Sequence, residues 1–227
     1  KWQDFQIRDS AGVPLSQSDL LLFNTSYITG IVNNQKNRMH YTPPPGTVFI
    51  EDRRETNESA LSLSLTNLQP GDQCLLRQKL FDPYNLLSYN KVKFWIYPET
   101  QDNQNTYPDS LDIIFRVGAD SLHYYEIKQR VKVNDWQHKM QEELWGDFVY
   151  QLQELSSLKQ IDPAATQGSQ DYGTYTLSFV GNPVPTLTNI REIYFGISNP
   201  EDIANPKAYS GTIFYNDLRL SDPYQDI

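Results

Sequence analysis

The stretch that decides the fold is Leu61-Ser62-Leu63-Ser64-Leu65. Leucine and serine alternate strictly, and successive side chains of a β-strand point to opposite faces of the sheet. The three leucines therefore share one face and the two serines share the other. A helix would not separate them in this way, because its apolar positions recur every three or four residues. The stretch predicts a strand with one buried and one polar face.

The same alternation recurs along the chain. In 124–133 apolar side chains occupy one face, while Glu126, Lys128 and Arg130 lie on the other. Further strands are predicted at 92–97, 111–117, 174–180, 192–198 and 212–220, with weaker patterns at 26–33, 47–51 and 75–80. Short strands separated by Pro and Gly turns, with little helical patterning between them, are typical of sandwiches. We predict an all-β, antiparallel β-sandwich of the jelly-roll, galactose-binding-like type, with long loops and one or two short helical turns.

The alternation also predicts which side chains form the core: Leu61, Leu63, Leu65, Phe94, Ile113, Phe115, Ile127, Val131, Leu177, Phe179, Phe195 and Ile197. The stretch 135–159 fits both strand and helix spacing, and we favour a strand over 148–153 followed by a helical turn. The polar stretches 99–110 and 163–172 are predicted to be long loops.

Length and charge limit the classes of function. The chain has 227 residues and a formal net charge of −9, so we expect one main domain and no affinity for the phosphates of nucleic acids. We assign 1–46 to a lead-in segment packing on the sandwich, 47–222 to the sandwich and 223–227 to a tail. The first residue is Lys1 rather than Met, and the end follows closely on a strand, so we expect a piece of a longer protein.

Residues suited to catalysis are sparse. The three histidines lack metal-site spacing, and neither a G-x-S-x-G elbow nor a phosphate-binding loop is present. Glycosidases need two carboxylates about 5–10 Å apart, yet Asp112 and Glu126 stand singly on their strands. We predict that the protein is not an enzyme and that it requires no cofactor, apart from the calcium ion considered below.

Two kinds of binding residue remain. Aromatic residues make up 13% of the chain, and Trp95 and Tyr97 alternate with the core residues of their strand. We predict that this pair binds a ligand or partner; sugar stacking and cover by a loop or neighbouring domain both fit the pattern. The terminal strand around Asp217 resembles the last strand of jelly-roll carbohydrate-binding modules. That resemblance implies a structural calcium at Asp217, although calcium needs six to eight oxygen ligands and one Asp supplies at most two.

An ordered series of short motifs carries a second resemblance. It comprises Thr42-Pro43-Pro44-Pro45-Gly46, Gln69-Pro70-Gly71-Asp72, Val117-Gly118-Ala119-Asp120, Gly181-Asn182-Pro183, Ile197-Ser198-Asn199-Pro200 and Asn216-Asp217-Leu218-Arg219-Leu220. Their order resembles a soluble segment of the SprA (Sov) family, the outer-membrane translocon of type IX secretion and gliding motility, over about 41–222. The sequence departs from that pattern at Asn216-Asp217, where Asn-Glu is expected, and in the more aromatic strand 94–97.

The resemblance to the SprA family implies a function without catalytic residues. It implies a structural or interaction domain at the cell surface, a soluble part of a larger outer-membrane protein. The partners would be the β-barrel and other translocon components, with secreted proteins as cargo. The alternative from composition and strand pattern is a jelly-roll carbohydrate-binding module, with a glycan as ligand.

Overall fold

A computed structural model describes residues 4–8, 28–35, 44–45, 60–100, 107–135, 145–159, 167–172, 174–180, 184–201 and 205–223. Within these ranges the chain forms thirteen strands and one short helix, α1, at Leu152–Ser157. The strands are β1 Asp4–Arg8, β2 Ile28–Gln35, β3 Ala60–Leu68, β4 Gln73–Tyr84, β5 Tyr89–Thr100, β6 Ser110–Gly118, β7 Tyr124–Lys132, β8 Asn134–Asp135, β9 Gly146–Gln151, β10 Gln167–Tyr172, β11 Tyr175–Val180, β12 Ile190–Ser198 and β13 Tyr209–Pro223.

The strands form two sheets. Sheet A has the order β1-β4-β12-β6-β7-β11-β10, and sheet B has the order β2-β3-β13-β5. The outer edge of β5 pairs with β9 and, through two residues, with the parallel strand β8. The other pairings are antiparallel, and β3 lies beside β13 as β4 lies beside β12. Early strands thus lie next to late ones, the wound arrangement of a jelly roll. The predicted antiparallel sandwich is confirmed.

The core lies between the two sheets. Rings from opposite sheets meet there, with the centroid of Phe94 5.5 Å from that of Phe115 and 5.4 Å from that of Phe195. Eleven of the twelve predicted core residues are buried, and Val131 is half-buried against the same cluster. Cys74, the single cysteine, is also buried, and burial raises the pKa of its thiol. Period-two alternation found these residues because each of their strands turns alternate side chains toward the space between the sheets.

The structure agrees with most predicted elements and corrects two of them. The stretch 148–153 is a strand followed by a helical turn, as predicted, with β9 passing directly into α1. The loop predicted at 163–172 is wrong over 167–172, where β10 pairs with β11 at the edge of sheet A. The loop predicted at 99–110 is wrong at its ends, because residues 99 and 100 belong to β5 and residue 110 to β6. Its middle, 101–106, and the strand predicted at 47–51 lie outside the described residues.

The segment assigned to the lead-in contributes one strand to each sheet. β1 pairs with β4 in sheet A, and β2 pairs with β3 in sheet B. Both are edge strands, and the domain boundary at 46/47 stays a prediction. Among the described residues, no helix has the length and apolar character needed to cross a membrane.

Asn199 joins two turns at one end of the sandwich. Its side-chain amide donates hydrogen bonds to the carbonyl oxygens of Leu68 and Lys207, at 2.9 and 2.8 Å. Its backbone pairs with Gly71 and Asp72, and Gly71 has a φ of 87°, which favours glycine. The two Pro-containing turns found in the sequence are therefore joined through the backbone of Asn199, and its buried side chain ties them to the end of β3 and to Lys207.

Candidate functional site

The two aromatic residues predicted to bind a ligand or partner lie on the outer face of sheet B. Trp95 and Tyr97 belong to β5, whose inner residues Phe94 and Ile96 enter the core. Tyr97 is completely buried, and its ring stacks on Phe214 with centroids 5.6 Å apart. Trp95 is half-buried. The structure therefore leaves Trp95, rather than Tyr97, accessible to a ligand.

Trp95 rests against a small cluster that we call the aromatic patch, comprising Ala60, Tyr97, Trp145 and Phe214. The ring of Trp145 lies 5.7 Å from that of Tyr97. Sequence reasoning did not single out Trp145 or Phe214. The sequence did contain a signal for Phe214. It lies between the core residues Ile213 and Tyr215 of one strand, so its side chain points outward. The position of Trp145 depends on the pairing of β9 with β5.

Two polar residues flank Trp95 directly. In the hydrogen-bonded register, Asn216 of β13 is its neighbour on one side and Asp147 of β9 on the other. Directly opposite residues on adjacent strands share a face, with Cβ atoms about 5 Å apart. Asp147 is exposed and Asn216 is half-buried. We call Asn216, Trp95 and Asp147 the outer row; it places an amide and a carboxylate on the two sides of an indole ring.

Cationic residues continue the outer face beyond the outer row. Lys93, two residues before Trp95 on β5, lies opposite Arg219 on one side and Val149 on the other. Lys91 lies two residues before Lys93 on the same strand. The side chain of Arg219 is exposed, and Lys91 and Lys93 are half-buried. A protein with a net charge of −9 therefore carries positive side chains beside the outer row.

Asp217, predicted to touch calcium, lies in a bulge of β13. Its φ is 56°, in the left-handed region, and the register with β5 shifts between Asn216 and Arg219. The Arg219 guanidinium binds its carboxylate through Nε and Nη2. Within the described ranges, no three His, Cys, Asp or Glu side chains are grouped so as to hold a metal ion. The calcium at Asp217 stays a prediction.

The two carboxylates considered for glycosidase chemistry lie on the outer face of sheet A. Asp112 is bound by Arg130 and lies 3.4 Å from the Lys128 ammonium, and Glu126 is bound by Arg116. Each carboxylate is thus paired with a cation across the β6–β7 ladder. This arrangement stabilises both charges and offers no acid paired with a base. The lack of enzymatic activity stays a prediction.

A buried polar network on sheet A was not foreseen from the sequence. Arg116 is 3% exposed, and its guanidinium carbon lies 3.8 Å from the centre of the Tyr124 ring. Tyr194 is completely buried and donates a hydrogen bond to Glu192, which lies 3.7 Å from the Arg77 guanidinium. Burial raises the pKa of the Tyr194 hydroxyl above its ordinary range. These polar groups hold neighbouring strands of sheet A together.

Comparisons with known proteins give structural neighbours only. No protein-family model matches the chain, and no curated protein matches it in sequence. A family 11 carbohydrate-binding module from Clostridium thermocellum, solved with a β-1,3-1,4-mixed-linked tetrasaccharide, is 14% identical with a TM-score of 0.41, over 86% of this chain and 96% of that one.

Two other solved structures resemble this chain with similarly low sequence identities and TM-scores. An exo-β-agarase is 14% identical with a TM-score of 0.43, over 74% of this chain but only 21% of the enzyme. A carbohydrate-binding module that recognises mannan is 10% identical with a TM-score of 0.31, over 96% of this chain and 98% of that one.

Proposed function

We propose that this protein is a non-catalytic carbohydrate-binding domain whose ligand stacks on Trp95. The observation that carries the proposal is the outer row, in which Asn216 and Asp147 flank the indole ring in register. A sugar ring has an apolar face of C–H groups and an edge of hydroxyl groups. The indole ring matches the face, while the amide and the carboxylate provide donors and acceptors for the edge.

The aromatic patch supports this role by holding the Trp95 ring in place. Tyr97 and Phe214 are fully buried and stacked, and Trp145 packs against Tyr97 on its other side. A binding group that is held in its bound position loses less conformational entropy when the ligand arrives. The buried rings of the patch therefore position the accessible ring of Trp95.

The proposal predicts a loss of glycan binding when the indole is removed. Trp95→Ala should weaken binding to a responsive polysaccharide by about ten-fold or more, equivalent to about 1.4 kcal/mol. Asn216→Ala should weaken it less, because it removes hydrogen bonds but leaves the stacking surface. Affinity electrophoresis in gels containing mixed-linkage β-glucan, mannan or agarose measures both effects.

Phe81→Ala is the matched control for the glycan experiment. Phe81 is an aromatic residue, 98% exposed, on β4 of the other sheet, so its removal should leave glycan affinity unchanged. Thermal unfolding of each variant checks that the fold is intact. The proposal fails if the unmodified protein binds none of the three polysaccharides, or if folded Trp95→Ala binds as tightly as the unmodified protein.

A second candidate is the translocon role implied by the resemblance to the SprA family. Trp95 also suits a protein interface, because Trp is enriched at the centre of such interfaces. Its neighbours on the outer face are Lys93 and Val149, and Val149 is 42% exposed. If this role holds, in-frame deletion of residues 47–220 from the parent gene should reduce release of secreted proteins while the truncated parent stays in the membrane. Normal export from a stable truncated parent would contradict the translocon role.

A further inference from the structure

An apolar pocket opens between the two sheets at the end where β4 turns into β5. Its volume is about 390 Å³, within the usual range of small-molecule sites. Val92, Phe115, Val117 and Ile190 form its floor, and all four side chains are almost completely buried. The lining contains no charged residue among the described ones. The pocket is distinct from the outer row, which lies on the opposite face of sheet B.

Two tyrosines stand at the mouth of the pocket. Tyr84 is 46% exposed, and Tyr89, which is half-buried, lines the same pocket. Leu218 faces them from β13 and is 41% exposed. The site is therefore apolar inside and carries a pair of hydroxyl groups where it meets solvent.

Irregularities in both sheets border the pocket. In sheet A, Lys79 pairs with Glu192 but Tyr84 pairs with Ile190, so β4 advances five residues (79 to 84) while β12 advances two (192 to 190). In sheet B, the bulge at Asp217 places Leu218 against the pocket. Bulges re-aim side chains and are over-represented beside functional sites. Two such irregularities, one in each sheet, border this pocket.

We propose that this pocket binds a single aliphatic chain that ends in an oxygen-bearing head group. A volume of about 390 Å³ is the room of about a dozen water molecules, so a chain of about ten carbons fills it. The apolar lining favours methylenes over any polar ligand, because a buried polar group without a partner is costly. The Tyr84 and Tyr89 hydroxyls can hydrogen-bond the head group at the mouth.

Chain length is the first test of this site. Titration calorimetry of the full chain with hexanoic, octanoic and decanoic acids, and with the corresponding 1-alkanols, should show affinity rising with length. Each buried methylene should contribute roughly four-fold in affinity. The acid and alcohol series distinguish a charged from a neutral head group, and a length-dependent affinity in either series supports the site. Absence of binding by both decanoic acid and 1-decanol up to their solubility limits would overturn it.

Two leucines give a matched pair of variants. Leu218→Trp places a large ring across the mouth and should weaken binding of the ten-carbon probe by about ten-fold or more. Leu122→Trp makes the same change at a residue that is 52% exposed and does not line the pocket, so binding should be unchanged. Ile193→Phe narrows the pocket from the side of sheet A, so it should also weaken binding of the ten-carbon probe.

The test of the apolar pocket is independent of the proposed glycan function. Trp95→Ala should leave binding of the ten-carbon probe unchanged, and Leu218→Trp should leave polysaccharide binding unchanged, so the failure of one proposal is visible without the other. Equal affinity of folded Leu218→Trp and Leu122→Trp for the probe would show that the chain binds elsewhere and would overturn the assignment.

Discussion

Replacing Phe94 by Ala should lower the free energy of unfolding by about 3–5 kcal/mol. The Phe94 side chain is 1% exposed and lies at the centre of the contact between the two sheets. Its ring is within about 6 Å of four others, those of Phe115, Phe148, Tyr150 and Phe195. The variant loses the transfer free energy of a phenyl ring and leaves a cavity that rigid strands on both sides cannot close.

Urea unfolding followed by tryptophan fluorescence measures the effect of Phe94→Ala, and the thermal midpoint should fall by roughly 10 °C. Phe81→Ala is the control, because that ring is 98% exposed and its loss should change stability by no more than about 0.5 kcal/mol. Similar midpoints for the two variants would be incompatible with a core centred on Phe94.

Replacing Arg116 by Met should have a comparable effect, a loss of about 3–5 kcal/mol, on sheet A. Arg116 and Glu126 are opposite each other on β6 and β7, and their side chains are 3% and 15% exposed. The guanidinium Nε donates to the Glu126 carboxylate at 3.0 Å, and Nη2 donates to the same oxygen. Met fills much of the same volume but leaves a largely buried carboxylate without its partner.

A double variant separates the lost charge pair from lost packing. In Arg116→Met with Glu126→Leu, no charge remains unpaired, so stability should return to within about 1 kcal/mol of the unmodified protein. Arg219→Met is the control, made at an ion pair on the other sheet. The side chains of Arg219 and its partner Asp217 are 68% and 32% exposed, and such accessible ion pairs are worth at most about 1 kcal/mol. A double variant as unstable as Arg116→Met alone would show that packing, not charge, dominates at this position.

The predictable parts of the fold are those whose information is local. The leucines at 61, 63 and 65 and the phenylalanines at 94, 115 and 195 were assigned to the core from alternation, and all are buried. The strand at β10 was missed because its sequence, Gln167–Tyr172, has no alternating apolar face. An edge strand of this kind is held by backbone hydrogen bonds to β11, and backbone groups are the same for almost every sequence.

The candidate sites depended on strand pairing to a greater degree. Alternation placed Trp95 on an outward face from the sequence alone, but Asn216 and Asp147 became its neighbours only through pairing with β13 and β9. Asn216 is 121 residues along the chain from Trp95 (216 − 95). Alternation likewise could not show that Tyr97, two residues further on the same face, is covered.

What the sequence determined by itself is the period-two pattern, and with it the two-layer architecture and the residues between the layers. What only the tertiary structure decided is the register, the two bulges and the pocket that they border. The physical reason is that burial acts on each side chain according to its own polarity, which the sequence states directly. Register and bulges instead arise from the competition of many long-range pairings, in which a shift of one residue exchanges the two faces of a strand.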